Sequence, residues 1–267
     1  VWAVGASGTI LHWNGAFFAP LRSPTRSRLR GVWASSAEDV WFVGDNGTIV
    51  HFDGGTFSSL PAAAVDLRAV WGSGPTDVWM AGERGGLLHW DGSTLGSVQT
   101  GTSQRLSAIG GSSARDIWVV GDGGTVLHWN GQTLEAQASG TTDSLYAVAA
   151  RSPQDAWIAG GGEAATGAGV AHGALLHFDG RSWARSGPET AKVLRGLSLA
   201  ENGDLWVVGD SGTLLRQHHG NLLPYADGQG HQLTGVRVSA SDDVWVVGEG
   251  GTLLQCNGSL FSHMSAV

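Results

Sequence analysis

An apolar residue followed directly by tryptophan recurs seven times along the 267 residues, at Val1-Trp2, Val40-Trp41, Val78-Trp79, Ile117-Trp118, Ala156-Trp157, Leu205-Trp206 and Val244-Trp245. Successive tryptophans stand 39, 38, 39, 39, 49 and 39 residues apart. Each dipeptide after the first is preceded by aspartate (Asp39, Asp77, Asp116, Asp155, Asp204, Asp243). Three residues after each tryptophan comes a glycine, from Gly5 through Gly44, Gly82, Gly121, Gly160 and Gly209 to Gly248. So regular a period restricts the chain to an array of like units, each too small to bury its apolar faces alone and each covered by its neighbours.

Four short strands fit in each unit. The first is LRGVW (29–33), echoed by LRAVW (67–71), LSAI (106–109), LYAV (145–148), LRGL (194–197) and LTGV (233–236). DVWFVG (39–44), TIVHF (48–52) and TFSSL (56–60) complete the unit. Short runs of Val, Ile and Trp bounded by Gly, Asn and Asp are strand signals. Asn14-Gly15, Asp53-Gly54 and Asn130-Gly131 supply the positive φ angles of tight hairpin turns. No stretch sustains a helical period. The pattern predicts a seven-bladed β-propeller, all-β, with four-stranded antiparallel blades of about 39 residues, as a single domain over 1–267.

Small residues hold the third position of the first strand: Gly31, Ala69, Ala108, Ala147, Gly196 and Gly235. That suits innermost strands crowding round an axis, and the tryptophan column then fills the wedges between blades, each buried indole contributing about 2–3 kcal/mol. The sequence opens at the second strand of a unit, without Met or a basic-then-apolar leader. The first blade is therefore expected to lack an inner strand before its second one and, unless a later segment supplies it, the chain to be part of a longer protein. Met264-Ser265-Ala266-Val267 reads either as that missing strand or as the end of the last outer strand, 258–267. Alignment of Met264 with Leu21 and Val98 favours the second.

The unit L-x-G/A-V…D-V-W-x-V-G-x-x-G-T-x-x-H-W/F-D/N-G-x-T/S-W/L resembles the BNR or Asp-box-like propeller repeats. Within these it is most similar to the branch that includes photosystem II assembly factors and uncharacterised bacterial repeat proteins. LRAVWGSGPTDVWMAGERGGLLHWDGSTL (67–95) matches best, and HFDGGTF (51–57) comes near the Asp-box ending. The complete ending with Trp survives as DGRSW (179–183), and no sialidase-like set of Arg, Glu and Tyr can be picked out. The resemblance implies a propeller used for binding and carries over neither substrate nor catalytic residue.

The titratable columns invite chemistry. A metal needs three or four ligands within about 2.0–2.3 Å of one point, and His12, His51, His89, His128 and His177 are rotated apart from blade to blade. They are expected to be hydrogen-bonding residues of the third strand. His218-His219 interrupts the column without forming a metal signature. Cys256 takes the slot of Trp13, Phe52, Trp90, Trp129 and Phe178 and is expected to be a small buried apolar residue. The Asp column is expected to fix turns through backbone amides. Calcium would need about six to eight oxygens round one ion, more than the pairs Glu38-Asp39 and Asp242-Asp243 offer. No metal and no cofactor is expected.

Charge is expected to be polarised. The loops joining first to second and third to fourth strands collect Glu38, Asp39, Asp53, Asp77, Asp91, Asp116, Asp155, Asp179, Glu201, Asp204, Asp242 and Asp243 against Arg115, Arg151 and Arg181. The other loops collect Arg22, Arg26, Arg28 and Arg30, with Arg68, Arg105 and Arg195 beside the inner strands, facing Asp45, Glu83, Asp122, Asp210 and Glu249. Guanidinium groups suit carboxylate or phosphate. The fifth unit adds about ten residues, GGGEAATGAGVAHGA (160–174), at the arginine-bearing side, and inserts in repeats often map to a binding face. Candidate ligand contacts are therefore Arg26, Arg28, Arg30, Arg68, Arg105, Arg195, Glu163 and His172, with no catalytic residue.

Function classes narrow accordingly. A net charge of −8 disfavours nucleic acid. No window reaches the roughly 18–20 apolar residues of a spanning helix, and the single cysteine excludes an internal disulfide. The expected function is a non-catalytic scaffold for a protein or peptide partner. The alternative is a lectin, with glycans held by aromatic and polar loop residues near Trp183, Tyr225 or the repeated hairpins. A glycan hydrolase or lyase ranks below both, since only one loop is irregular and Glu163 is its sole carboxylate. A bacterial protein placed outside the cytoplasm, secreted or at the cell surface, is the expected context.

Overall fold

In a computed structural model, residues 1–162, 171–187, 190–218, 221–226, 230–240, 243–256 and 261–264 are described. The chain is a seven-bladed β-propeller. Blade 1 has three described strands, Trp2–Val4, Ile10–Trp13 and Phe18–Leu21. Blade 2 shows the full pattern, Leu29–Ser36, Asp39–Gly44, Ile49–Phe52 and Phe57–Ser59, paired antiparallel in that order. Blades 3 to 7 repeat it from inner strands Leu67–Gly74, Leu106–Ser113, Ser144–Ser152, Leu194–Leu199 and Leu233–Ala240. The chain forms two compact units, one over Val1–Gln137 with blades 1 to 4 and one over Ala138–Ser265 with blades 5 to 7. The Met264 N–H donates to Leu253 O as the Leu60 N–H does to Ile49 O and Val98 to Leu87, so Met264 keeps the outer-strand register. Residues 265–267, the rest of the possible closing strand, lie outside the described residues.

The repeat's signature residues have separable jobs. Trp41, Trp79, Trp118, Trp157, Trp206 and Trp245 are buried. In the first unit the tryptophan column meets the aromatic that ends the next blade's third strand: Trp2 lies 5.5 Å from Phe52, Trp41 5.5 Å from Trp90, and Trp79 5.4 Å from Trp129. In the corresponding slot of blade 7 stands Cys256, buried in the cluster that holds Trp206. The small inner-strand column is a close approach. A Cβ at Gly31 would stand 3.3 Å from Ala69 Cα, and one at Gly196 3.2 Å from Gly235 Cα.

Second and third strands are joined by one turn of 3-10 helix, such as Asp45–Gly47, Glu83–Gly85 and Asp122–Gly124. Its middle residue is left-handed, with Asn46 at φ 58° and Arg84 at φ 56°. Blade 5 departs from this. Its second strand runs Asp155–Gly162 and pairs residue for residue with His172–Phe178 as far as Gly162 opposite His172, so the insert prolongs the hairpin.

Candidate functional site

The aspartate column builds a side-chain network and does not fix turns as expected from sequence. In blade 2, Asp39 Oδ1 accepts the Trp41 indole N–H at 3.2 Å and lies 2.6 Å from His51 Nε2, while Oδ2 accepts the Ser35 hydroxyl. Blade 3 repeats this with Trp79 at 2.8 Å, His89 at 2.7 Å and Ser73 at 2.5 Å from Asp77. The register explains it: Trp41 sits opposite His51, so Asp39, two residues back on the same side of the strand, meets both rings. The imidazoles also stack on the indoles, with centroids 4.2 Å apart for Trp79–His89 and 3.9 Å for Trp118–His128. Burial pushes the Asp77 carboxyl up, but the bonds from His89, Ser73 and Trp79 outweigh it and hold it below the usual carboxylate value. Asp116, Asp204 and Asp243 are lowered by the same balance. Backbone turns are fixed instead by the later aspartates: Asp53 accepts the N–H of Gly55 and Thr56, and Asp91 that of Ser93 and Thr94.

This network uses the histidines blade by blade. Among the described residues no three His, Cys, Asp or Glu side chains gather as a metal site. Blade 6 substitutes Arg216 and His218 on Asp204, and blade 7 places Gln255 on Asp243 where the histidine stands elsewhere.

Four of the six candidate arginines are tied to their own blades. Arg30 bonds Asp45 through both Nε and Nη2, Arg68 grips Glu83, Arg105 reaches Asp122 at 2.8 Å, and Arg195 holds Asp210 at 2.9 and 3.1 Å. For Arg30, Arg68 and Arg195 a β-bulge is the cause. The inner strand shifts register between Leu29 and Gly31, between Leu67 and Ala69, and between Leu194 and Gly196. The extra residue is then Arg30, Arg68 or Arg195, set against the acid that opens the 3-10 turn. Arg195 also lies over the Tyr146 ring at 4.6 Å. Arg26 and Arg28 are exposed, as are Arg22 and Arg84, and among the described residues none of these four has an ion pair. Arg84 escaped the sequence reading; the signal was an arginine at the left-handed turn position held elsewhere by Asn46, Gly123, Ser211 and Gly250. His172 sits 3.2 Å from both oxygens of Asp143, which also meets Arg185. Glu163 lies outside the described residues.

In the first unit this leaves opposite charge at the two ends of the blades. The 3-10-turn end gathers Arg22, Arg26, Arg28, Arg30, Arg68, Arg84 and Arg105 with Asp45, Asp66, Glu83 and Asp122. The other end gathers Glu38, Asp39, Asp53, Asp77, Asp91 and Asp116 with Arg115.

No protein-family model and no curated protein matches this chain. Solved structures do. YCF48 bound to a D1 peptide is similar at 18% identity with a TM-score of 0.73, over 96% of this chain and 88% of that one. YCF48 from Cyanidioschyzon merolae gives 15% and 0.67, over 92% and 89%. The extracellular domain of BT4673 from B. thetaiotaomicron gives 14% and 0.68, over 96% of this chain and 38% of that one. The likeness is one of fold. Among the described residues no helix is long and apolar enough to cross a membrane.

Proposed function

We propose that this chain is a non-catalytic scaffold of the Asp-box-like propeller kind, acting outside the cytoplasm and binding an acidic protein or peptide partner at the arginine-bearing end of its blades. The observation that carries it is the set of exposed guanidinium groups at Arg22, Arg26, Arg28 and Arg84 beside the ion pairs of Arg30 and Arg68. The pairs hold the frame, and the four exposed arginines meet the partner. That YCF48 was solved holding a peptide supports the reading. Trp183 is buried against Phe178, and Tyr225 packs on Trp206 and Phe261, so neither aromatic named for a lectin stands free to stack on a sugar.

The test titrates the full chain with dye-labelled peptides alternating glutamate with glycine and compares the variant combining Arg26→Ala, Arg28→Ala and Arg84→Ala. Saturable binding that weakens about tenfold or more in the variant, at an unchanged melting temperature, is expected. Equal affinity in the variant removes the assignment.

A further inference from the structure

The rim between blades 2 and 3 carries a groove of about 920 Å³, and the sequence explains the space. The chain passes from one blade to the next through Leu60-Pro61-Ala62-Ala63-Ala64. Side chains that end at Cβ leave unfilled the wedge where the outer strands Phe57–Ser59 and Leu95–Ser97 diverge. One wall is His51 and Ser58, the other Leu88, Trp90 and Leu95, all three half-buried. Trp41, its ring 5.5 Å from Trp90, also lines the groove. Along the connector the Ala63 N–H donates to Gly47 O at 2.9 Å, whereas among the described residues the N–H groups of Ala62 and Ala64 have no partner. One end of the groove opens past Asp39 and Gly92, beside Asp91. At that end the turns of blades 2 and 3 carry Glu38, Asp39, Asp53, Asp77 and Asp91 with no arginine or lysine.

We infer that this groove docks an extended segment of a protein partner, with apolar side chains in the wedge over Trp90 and a lysine or arginine at the acidic mouth. The inference rests on the scaffold reading and takes its cation at the end of the blades opposite the arginine-rich one. Half-buried apolar walls favour an apolar occupant. The carboxylates of this end, with no arginine or lysine among them, select the cation, and the N–H groups of Ala62 and Ala64 select a main-chain carbonyl, which a lipid tail does not offer.

The experiment follows the anisotropy of dye-labelled hexapeptides alternating leucine with arginine, leucine with glutamate, or serine with arginine, against the full chain. Only the leucine–arginine peptide is expected to saturate, with the other two at least about fivefold weaker. Ser97→Trp, at an exposed outer-strand position, fills the wedge and should abolish binding. Asp91→Asn with Glu38→Gln should weaken it about threefold, since Asn130 makes the same turn bonds as Asp91 and the fold is kept. Equal binding of the glutamate or serine peptide, or indifference to both Ser97→Trp and the Asp91→Asn pair, overturns the groove. So does a concentration-dependent dimer in sedimentation that Ser97→Trp abolishes, because a second copy would then be the occupant. If acidic peptides bind at the arginine end while no leucine–arginine peptide binds, the groove fails and the scaffold stands; if neither class binds, both fail.

Discussion

The residue that organises blades 2 to 5 is the aspartate before the tryptophan, and the two groups it holds are the two that were read separately in the sequence as core tryptophan and third-strand histidine. Asp77 joins Ser73, Trp79 and His89. A carboxylate with its pKa lowered in the folded chain contributes stability above the ordinary value of 3.8 and loses it as pH falls through the lower folded value. Urea unfolding is therefore expected to weaken below about pH 4, with Asp77→Asn less stable by about 1–3 kcal/mol at pH 7 and shallower in its loss below about pH 4. An Asp77→Asn chain whose stability tracks the parent at every pH would place the network's weight elsewhere. Trp79→Ala is expected to cost about 3–5 kcal/mol in the same titration, because the indole is 2% exposed and touches both His89 and the next blade's Trp129. A thermally neutral Trp79→Ala would contradict an inter-blade core.

At the scale of the element, the 3-10 turn shows what a single sequence discloses. The G-x-x-G spacing and the strands on either side were legible, because periodicity and turn residues are local signals. The bulge that follows Leu29, Leu67 or Leu194 was not, since it depends on register against the neighbouring strand, and it decides that Arg30, Arg68 and Arg195 face their own turn acids. The turn also yields a paired prediction. Gly47 has φ 64° and a Cβ there would stand 2.0 Å from Ala63 O, so Gly47→Ala should destabilise by about 2 kcal/mol or more. Arg84 occupies the left-handed position with an exposed side chain, so Arg84→Gly should raise stability by up to about 1 kcal/mol. Thermal denaturation of the two variants checks both signs, and a destabilised Arg84→Gly would mean that the guanidinium holds the turn.

Across the larger body of the chain, charge arithmetic anticipated the polarity of the blades, while which arginines remain free had to be seen in three dimensions. In the first unit one end presents seven arginines to four carboxylates and the other presents six carboxylates to Arg115. Fields of this kind act on encounter more than on the bound state. Screening shortens from about 10 Å at 0.1 M salt to about 3 Å at 1 M, so the association rate of an acidic peptide should fall steeply with added salt while its dissociation rate changes little. Removing Arg26, Arg28 and Arg84 together should flatten most of that dependence, because Arg30, Arg68 and Arg105 are already neutralised by Asp45, Glu83 and Asp122 and Arg22 alone is left without an ion pair among the described residues at this end of the first unit. Surface plasmon resonance across a salt series reads both rates. An association rate indifferent to salt, or a salt slope that survives loss of the three arginines, would mean that contact chemistry and not the field of this end brings the partner in.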